Sequence, residues 1–287
     1  MDEALIRRAE SHFDAAGGRT LFRRAWLPEA PRRLVIVAHG YAEHSGRYEA
    51  VGAWLAERGC AVHAYDHVGH GYSEGPRGHV RRFDDFLDDL DAFIDRCRAE
   101  HPGLPLYVIG HSMGGLIVAA WSVRRAPEVE GVILSGPALV AGGDVVSRGQ
   151  LWLLQLLRRL APRLRMPRPI DHEALSRDPA VGRAYAADPL IFQHMTLSLA
   201  GALLDAGAPT LQGAAQVRVP TLVMHGQEDP LVLASGSQEF FDRLQSSGSG
   251  LRIYPKLRHE IFNEPEGEDV LGDVIAWIGE REARPDV

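Results

Sequence analysis

Residues 104–123 read LPLYVIGHSMGGLIVAAWSV, and this stretch decides how the rest of the chain is read. Residues 106–109 form a short apolar run rich in β-formers, which predicts a buried strand. Gly110-His111-Ser112-Met113-Gly114 then turns abruptly, and residues 115–123 continue apolar and proline-free, which predicts a buried helix. A G-x-S-x-G motif has meaning as a nucleophile elbow only between a strand and a helix. The glycines are needed because side chains flanking such a strained turn would collide with the neighbouring strand or helix. The helix start behind Ser112 aims free N–H groups and a positive dipole end at any negative charge forming there. A second match, Gly71-Tyr72-Ser73-Glu74-Gly75, runs into Gly75-Pro76-Arg77-Gly78 and cannot start a helix directly. Ser73 is therefore read as a loop serine and Ser112 as the nucleophile.

Working outward, the apolar patterns alternate between short runs and amphipathic segments. Upstream, residues 12–27 read as a hairpin turning at Ala15-Ala16-Gly17-Gly18. Residues 34–38 and 61–65 read as buried strands, with a helix over 47–58 between them. Residues 84–100 are the clearest helix, with Phe83, Phe86, Leu87, Leu90, Phe93, Ile94 and Cys97 on one face. Asp85, Asp88, Asp89 and Asp95 are expected on a solvated face. Downstream come strands at 131–134, 220–225 and 251–254, with helices at 238–244 and 270–280. This alternation predicts an α/β fold: a mostly parallel central sheet with helices on both faces. Residues 138–215 break it with helical patterns and no strand signal. The expected organisation is a core of residues 1–136 and 216–287 with a helical cap, or lid, inserted at 137–215. Such a cap would cover the strand C-terminal edge, where open α/β sheets bind ligands.

With 287 residues, 45% of them hydrophobic, there is ample material for one large domain. A net charge of −7 argues against a nucleic-acid surface. Cys60 and Cys97 make no disulfide framework and read as buried reduced thiols. The N-terminal residues lack the apolar core of a signal peptide, and no apolar run approaches a membrane span. The expectation is a cytoplasmic enzyme, open to contact with membrane surfaces. The segment 151–160, followed by Arg163, Arg165 and Arg168, is apolar and locally basic in an acidic chain. It could line an acyl pocket and lean on anionic lipid, or simply pack on its own domain.

A serine hydroxyl needs a base, and the base needs an orienting carboxylate. In this architecture the partners follow in the order Ser, Asp/Glu, His. The strand ending at His225 runs into Gly226-Gln227-Glu228-Asp229-Pro230, so Glu228 and Asp229 are both carboxylate candidates. His259 follows the last strand and is the only histidine after His225, which makes it the base. His111 is expected to face away from the base position. The backbone N–H groups of Met113 and Tyr41 are the natural oxyanion donors. His67, His70 and His79 lack metal-ligand spacing, so no metal or cofactor is implied.

With these residues in place, the chain resembles the monoacylglycerol lipase and lysophospholipase branch of the α/β-hydrolases. The resemblance rests on HGYAEHSGRY at 39–48, DHVGHGYSEGPRG at 66–78, GHSMGG at 110–115, the Asp229 and His259 pair, and YAADPL at 185–190. It implies the α/β-hydrolase fold and cleavage of a single ester bond to a fatty acyl chain. It also selects Asp229, in a GxxDxxV-like position ending at Val232, over Glu228. By resemblance Glu43 and Arg47 help form a polar head-group pocket bordered by Tyr185, although the first two could equally be a loop-bracing ion pair. Mammalian members carry a second histidine three residues after the catalytic one, and here that position is Phe262. Monoacylglycerols, lysophospholipids and short- or medium-chain esters all stay open as substrates. A non-catalytic binding protein on a hydrolase scaffold is the remote alternative. Oligomeric state is not set by these patterns.

Overall fold

A computed structural model describes residues 6–140 and 148–283, with side chains assigned outside 141–153. Eight strands form one sheet in the order β1-β2-β4-β3-β5-β6-β9-β10. The edge hairpin, β1 (Arg7–Asp14) and β2 (Thr20–Leu27), is antiparallel, and β2 also meets β4 antiparallel. The remaining strands, β3 (Arg33–Ala38), β4 (Cys60–Tyr65), β5 (Leu106–His111), β6 (Gly131–Ser135), β9 (Thr221–Gly226) and β10 (Gly250–Tyr254), are parallel. Every residue of β3 to β6 and of β9 is buried, as expected when helices cover both faces. This is the α/β fold with a mostly parallel sheet that the sequence pattern implies.

The helices divide between two apolar cores, one on each face. On one face α1 (Glu49–Glu57) and α8 (Gly267–Glu282) supply Val51, Leu55, Val270, Val274 and Ile278. On the other, α2 (Asp84–Glu100) and α3 (Met113–Arg125) supply Phe86, Leu90, Phe93, Leu116 and Ile117. Between β6 and β9 the chain leaves the sheet and forms α4 (Arg148–Leu160), α5 (Pro179–Ala187) and α6 (Leu197–Gln212). α7 (Ala234–Arg243) follows β9.

Some expectations need correction. The hairpin begins at Arg7 rather than residue 12. The intervening segment is not all helical, because β7 (Arg165–Pro167) pairs antiparallel with β8 (His194–Thr196). Three residues on each side carry too little periodicity to be read as strand. Nor is the acidic face of α2 wholly solvated. Asp85 and Asp89 are buried, and Asp89 accepts from Arg19 at 2.6 Å. Burial pushes the Asp89 carboxyl up to about 6 despite the arginine. Cys60 and Cys97 are buried and unpaired. Among the described residues no helix is long and apolar enough to cross a membrane.

Candidate active site

Strand β5 delivers the chain to Ser112 and α3 carries it away. Ser112 has φ 55° and ψ −115°, a conformation that a non-glycine residue reaches only under strain of about 1–3 kcal/mol. The flanking glycines are required by close approach. A Cβ on Gly114 would lie 2.1 Å from Ala38 O, and one on Gly110 would lie 2.5 Å from Gly114 O. The turn is pinned to β6, because Ser112 N–H donates to Ser135 O at 2.9 Å and Ser112 O accepts from Ala138 N–H at 2.9 Å. Ser73 is structural: its hydroxyl donates to Asp66 O and accepts Phe22 N–H.

The loop after β9 places Asp229, and the loop after β10 places His259. Asp229 Oδ2 accepts from His259 Nδ1 at 2.6 Å, while Oδ1 accepts the N–H groups of Leu231 at 2.8 Å and Val232 at 3.0 Å. A carboxylate can only accept, so the His259 proton sits on Nδ1 and its Nε2 is left as a base. Burial would raise the Asp229 carboxyl, but bonds from His225 and His259 outweigh it and hold it well below the usual range. Burial would lower His259, yet the bond to Asp229 and its charge win and leave the imidazole above its ordinary value. The end of β6 touches both the serine turn and the pair, since Ser135 O holds Ser112 N–H. Gly136, beside Ser135, has φ +50°, and a Cβ there would lie 3.6 Å from both Asp229 Oδ2 and His259 Nδ1. Among the described residues, no hydrogen bond joins the Ser112 hydroxyl to His259. Such contacts are commonly loose in a free enzyme and tighten with substrate.

The loop after β3 supplies the other wall. Ala42 is strained at φ 63°. As the first residue of α3, Met113 has no intrahelical acceptor for its N–H. Tyr41 lies in the loop turn, with its ring 5.7 Å from Phe192 of the inserted segment. Gly40 N–H donates to Glu43 Oε1 at 2.5 Å, and Tyr48 donates to the same oxygen at 2.8 Å. Arg47 joins Glu43 at 2.9 Å to Glu260 at 2.5 and 2.9 Å, and its guanidinium lies 4.9 Å from the Tyr185 ring. Burial raises the Glu43 carboxyl, whereas at Glu260 Arg47 overcomes burial and lowers it. Glu43, Arg47 and Tyr185 thus meet, and the two acids and the arginine largely satisfy one another.

Four contributors escaped the sequence reading. His225 is fully buried and reaches Asp229 Oδ2 at 3.1 Å, Val232 O at 3.1 Å and Ser237 Oγ at 2.6 Å. Its place four residues before Asp229 was the only signal. Ser237 comes from α7, and Glu260 adjoins the base. His111 does not face away: its ring centroid is 4.8 Å from that of His259. Burial, then the neighbouring His259, lowers His111 to about 3, so it adds no charge beside the base. One group, His63, Glu100 and His101, has metal-like spacing among the described residues. Its carboxylate is already taken by Arg23 at 2.8 Å to each oxygen, and its imidazoles bond each other at 2.9 Å.

A parallel sheet that ends in a strained serine elbow, with an Asp–His pair at the next strand ends, defines an α/β-hydrolase. Residues 29–266 match the family described as serine aminopeptidase S33, and the chain belongs to that family. Within it the chain belongs to the monoacylglycerol lipase-like branch and is a carboxylic ester hydrolase. It is 41% identical over 273 residues to a monoacylglycerol lipase of Mycolicibacterium smegmatis, covering 94% of this chain and 97% of that one. It is 33% identical to phospholipase YtpA of Bacillus subtilis, covering 86% and 95% respectively. The crystal structure of Paleococcus ferrophilus monoacylglycerol lipase superposes with a TM-score of 0.81 at 27% identity, covering 96% of this chain and 99% of that one.

Proposed function

We propose that this protein hydrolyses the ester bond of monoacylglycerols and similar single-chain esters through an acyl-enzyme. Ser112 Oγ attacks the carbonyl carbon and gives its proton to His259 Nε2. Asp229 holds the ring and stabilises its charge. The N–H groups of Met113 and Tyr41 receive the oxyanion. Collapse expels the alcohol, protonated by His259, and leaves the acyl group on Ser112. Water, activated by the same base, then releases the fatty acid. The observation that carries this reading is the strained Ser112 set against the 2.6 Å Asp229–His259 pair.

Residues 137–215 act as the cap, and only its side facing the loops after β3 and β10 lines the acyl pocket. Their contacts support this: Tyr41 meets Phe192, His44 bonds Asp188 at 2.8 Å, and Glu260 N–H donates to Leu175 O at 2.8 Å. Those partners lie in loops that follow β3 and β10. Leu156, Leu157, Leu160 and Leu164 are exposed and form the face with which the cap rests transiently on membranes. The side chains of 151–153, the start of the apolar segment singled out in the sequence, lie outside those described.

A second reading, lysophospholipase or general esterase, is favoured by Phe262, which removes a polar group from the head-group side. A panel of monoacylglycerols, p-nitrophenyl esters of rising length and lysophosphatidylcholine separates the two. The highest kcat/KM is expected on a monoacylglycerol. Preference for lysophosphatidylcholine or for the shortest ester would replace the substrate assignment, and inertness to all would revive a binding role.

A further inference from the structure

One cavity of the molecule does not include Ser112 in its lining. It is a groove of about 690 Å³ at the seam between the sheet domain and the inserted helices. One wall is His79 and residues 81–84 with Arg124, and the other is formed by the end of α4, the turn after it, and α6. Six arginines line it, Arg81, Arg82, Arg124, Arg158, Arg159 and Arg163, against only two aspartates. Three are committed: Arg124 to Asp84 at 2.8 Å, Arg158 to Asp205 at 2.6 Å and Arg82 to Asp85 at 3.6 Å. Arg81, Arg159 and Arg163 are exposed and have no acidic partner among the described residues. A chain of net charge −7 has gathered into one groove cations that have no acidic partner among the described residues and that repel one another.

The groove adjoins the exposed leucines of α4. At about 100° per residue, Leu156, Leu157 and Leu160 occupy an arc of about 100°, and Arg159 stands at its edge. Leu160 is 75% exposed and Leu164, just past the helix, 52%. Apolar side chains flanked by arginine are the pattern of an interfacial helix that binds anionic lipid. Guanidinium forks match phosphate oxygens in pairs, and a groove of this size admits a glycerophosphate head.

We propose that this groove binds the phosphate headgroup of an anionic lipid while the α4 leucines enter the bilayer surface. The proposal rests on the membrane contact proposed above for the cap and adds lipid selectivity to it. A soluble phosphate compound shares the chemistry, but it would gain nothing from the adjoining leucine face.

The test is co-sedimentation with vesicles of phosphatidylcholine alone or with about a third phosphatidylglycerol, at about 0.05 M and 0.5 M salt. Three unpaired arginines at about five-fold each give an expected preference for the anionic vesicles of about 100-fold at low salt, largely lost at high salt. In Arg81→Glu/Arg159→Glu/Arg163→Glu the preference should vanish, while solution hydrolysis of p-nitrophenyl butyrate stays unchanged. Leu160→Ser/Leu164→Ser should weaken binding to both vesicles. Equal affinity of the wild type for both vesicles, or an undiminished preference in the arginine variant, would overturn the proposal. So would a preference erased by millimolar glycerol phosphate that also stabilises the wild type alone, which would assign the groove to a soluble anion. No binding to any vesicle would instead remove the membrane contact on which the proposal rests.

Discussion

Replacing His225 separates holding the acid from supplying its charge. His225 Nε2 donates to Asp229 Oδ2 at 3.1 Å and Nδ1 accepts from Ser237 at 2.6 Å, all in full burial. His225→Leu removes one hydrogen bond to an ionised carboxylate, worth about 1.5–3 kcal/mol, and leaves the Ser237 hydroxyl without an acceptor for about 1–3 kcal/mol more. The melting temperature should fall by about 5–25 °C at about 2–4 °C per kcal/mol. Asp229 keeps its bonds from His259, Leu231 and Val232, and starts from a carboxyl held well below the usual range. A rise of about 1–2 pH units still leaves it ionised at neutral pH. Activity should therefore fall only about ten-fold, through lost orientation. The carboxamide of His225→Gln can donate to Asp229 and accept from Ser237, so it should recover most of the loss. Thermal denaturation and p-nitrophenyl butyrate hydrolysis read the two effects. A folded His225→Leu as inactive as an Asp229 variant would refute this reasoning, as would one unchanged in both stability and rate.

Further outcomes follow from the same contacts. Because His259 is held above its ordinary value, the acid limb of kcat/KM should lie above about 6.5. Activity rises as His259 loses its proton, whereas the stability gained from the charged His259–Asp229 pair is present below that value and fades as pH rises through the folded-state pKa. Asp229→Asn should lower kcat by about 10⁴ and move any residual limb downward, and a pH–rate profile checks both. Gly114→Ala drives a Cβ to within 2.1 Å of Ala38 O, so chemical denaturation should show a loss of at least about 1–3 kcal/mol, with loss of turnover. Arg47→Met leaves Glu43 and Glu260 buried without their shared cation, at a cost of about 3–5 kcal/mol. Adding Glu260→Gln should recover part of that stability, and absence of recovery would show that the network does not bind the two loops.

The sheet and the elbow were legible because they are local. Apolar runs at 34–38 and 106–109 and the glycines about Ser112 declare themselves within a few residues. Order along the chain was enough to nominate His259 and to narrow the carboxylate to Glu228 or Asp229, between which the family resemblance chose Asp229. What stayed hidden depends on partners distant in sequence. The aspartates of α2 look like a solvated face until Arg19, 70 residues from Asp89, closes over them. His225 looks like a strand end until Ser237 and Asp229 fold onto its two nitrogens. Glu260 carries no local signal, because its partner Arg47 lies 213 residues away. The β7–β8 pair is too short for a two-residue period to register.

The central claim is that one hydroxyl, at position 112, carries the acyl group. Labelling with a fluorophosphonate, followed by peptide mass spectrometry, reads that directly. The account expects one adduct per chain, on the peptide bearing Ser112, parallel loss of esterase activity, and no label in a folded Ser112→Ala protein. An adduct on another residue, or labelling that survives Ser112→Ala, would contradict it.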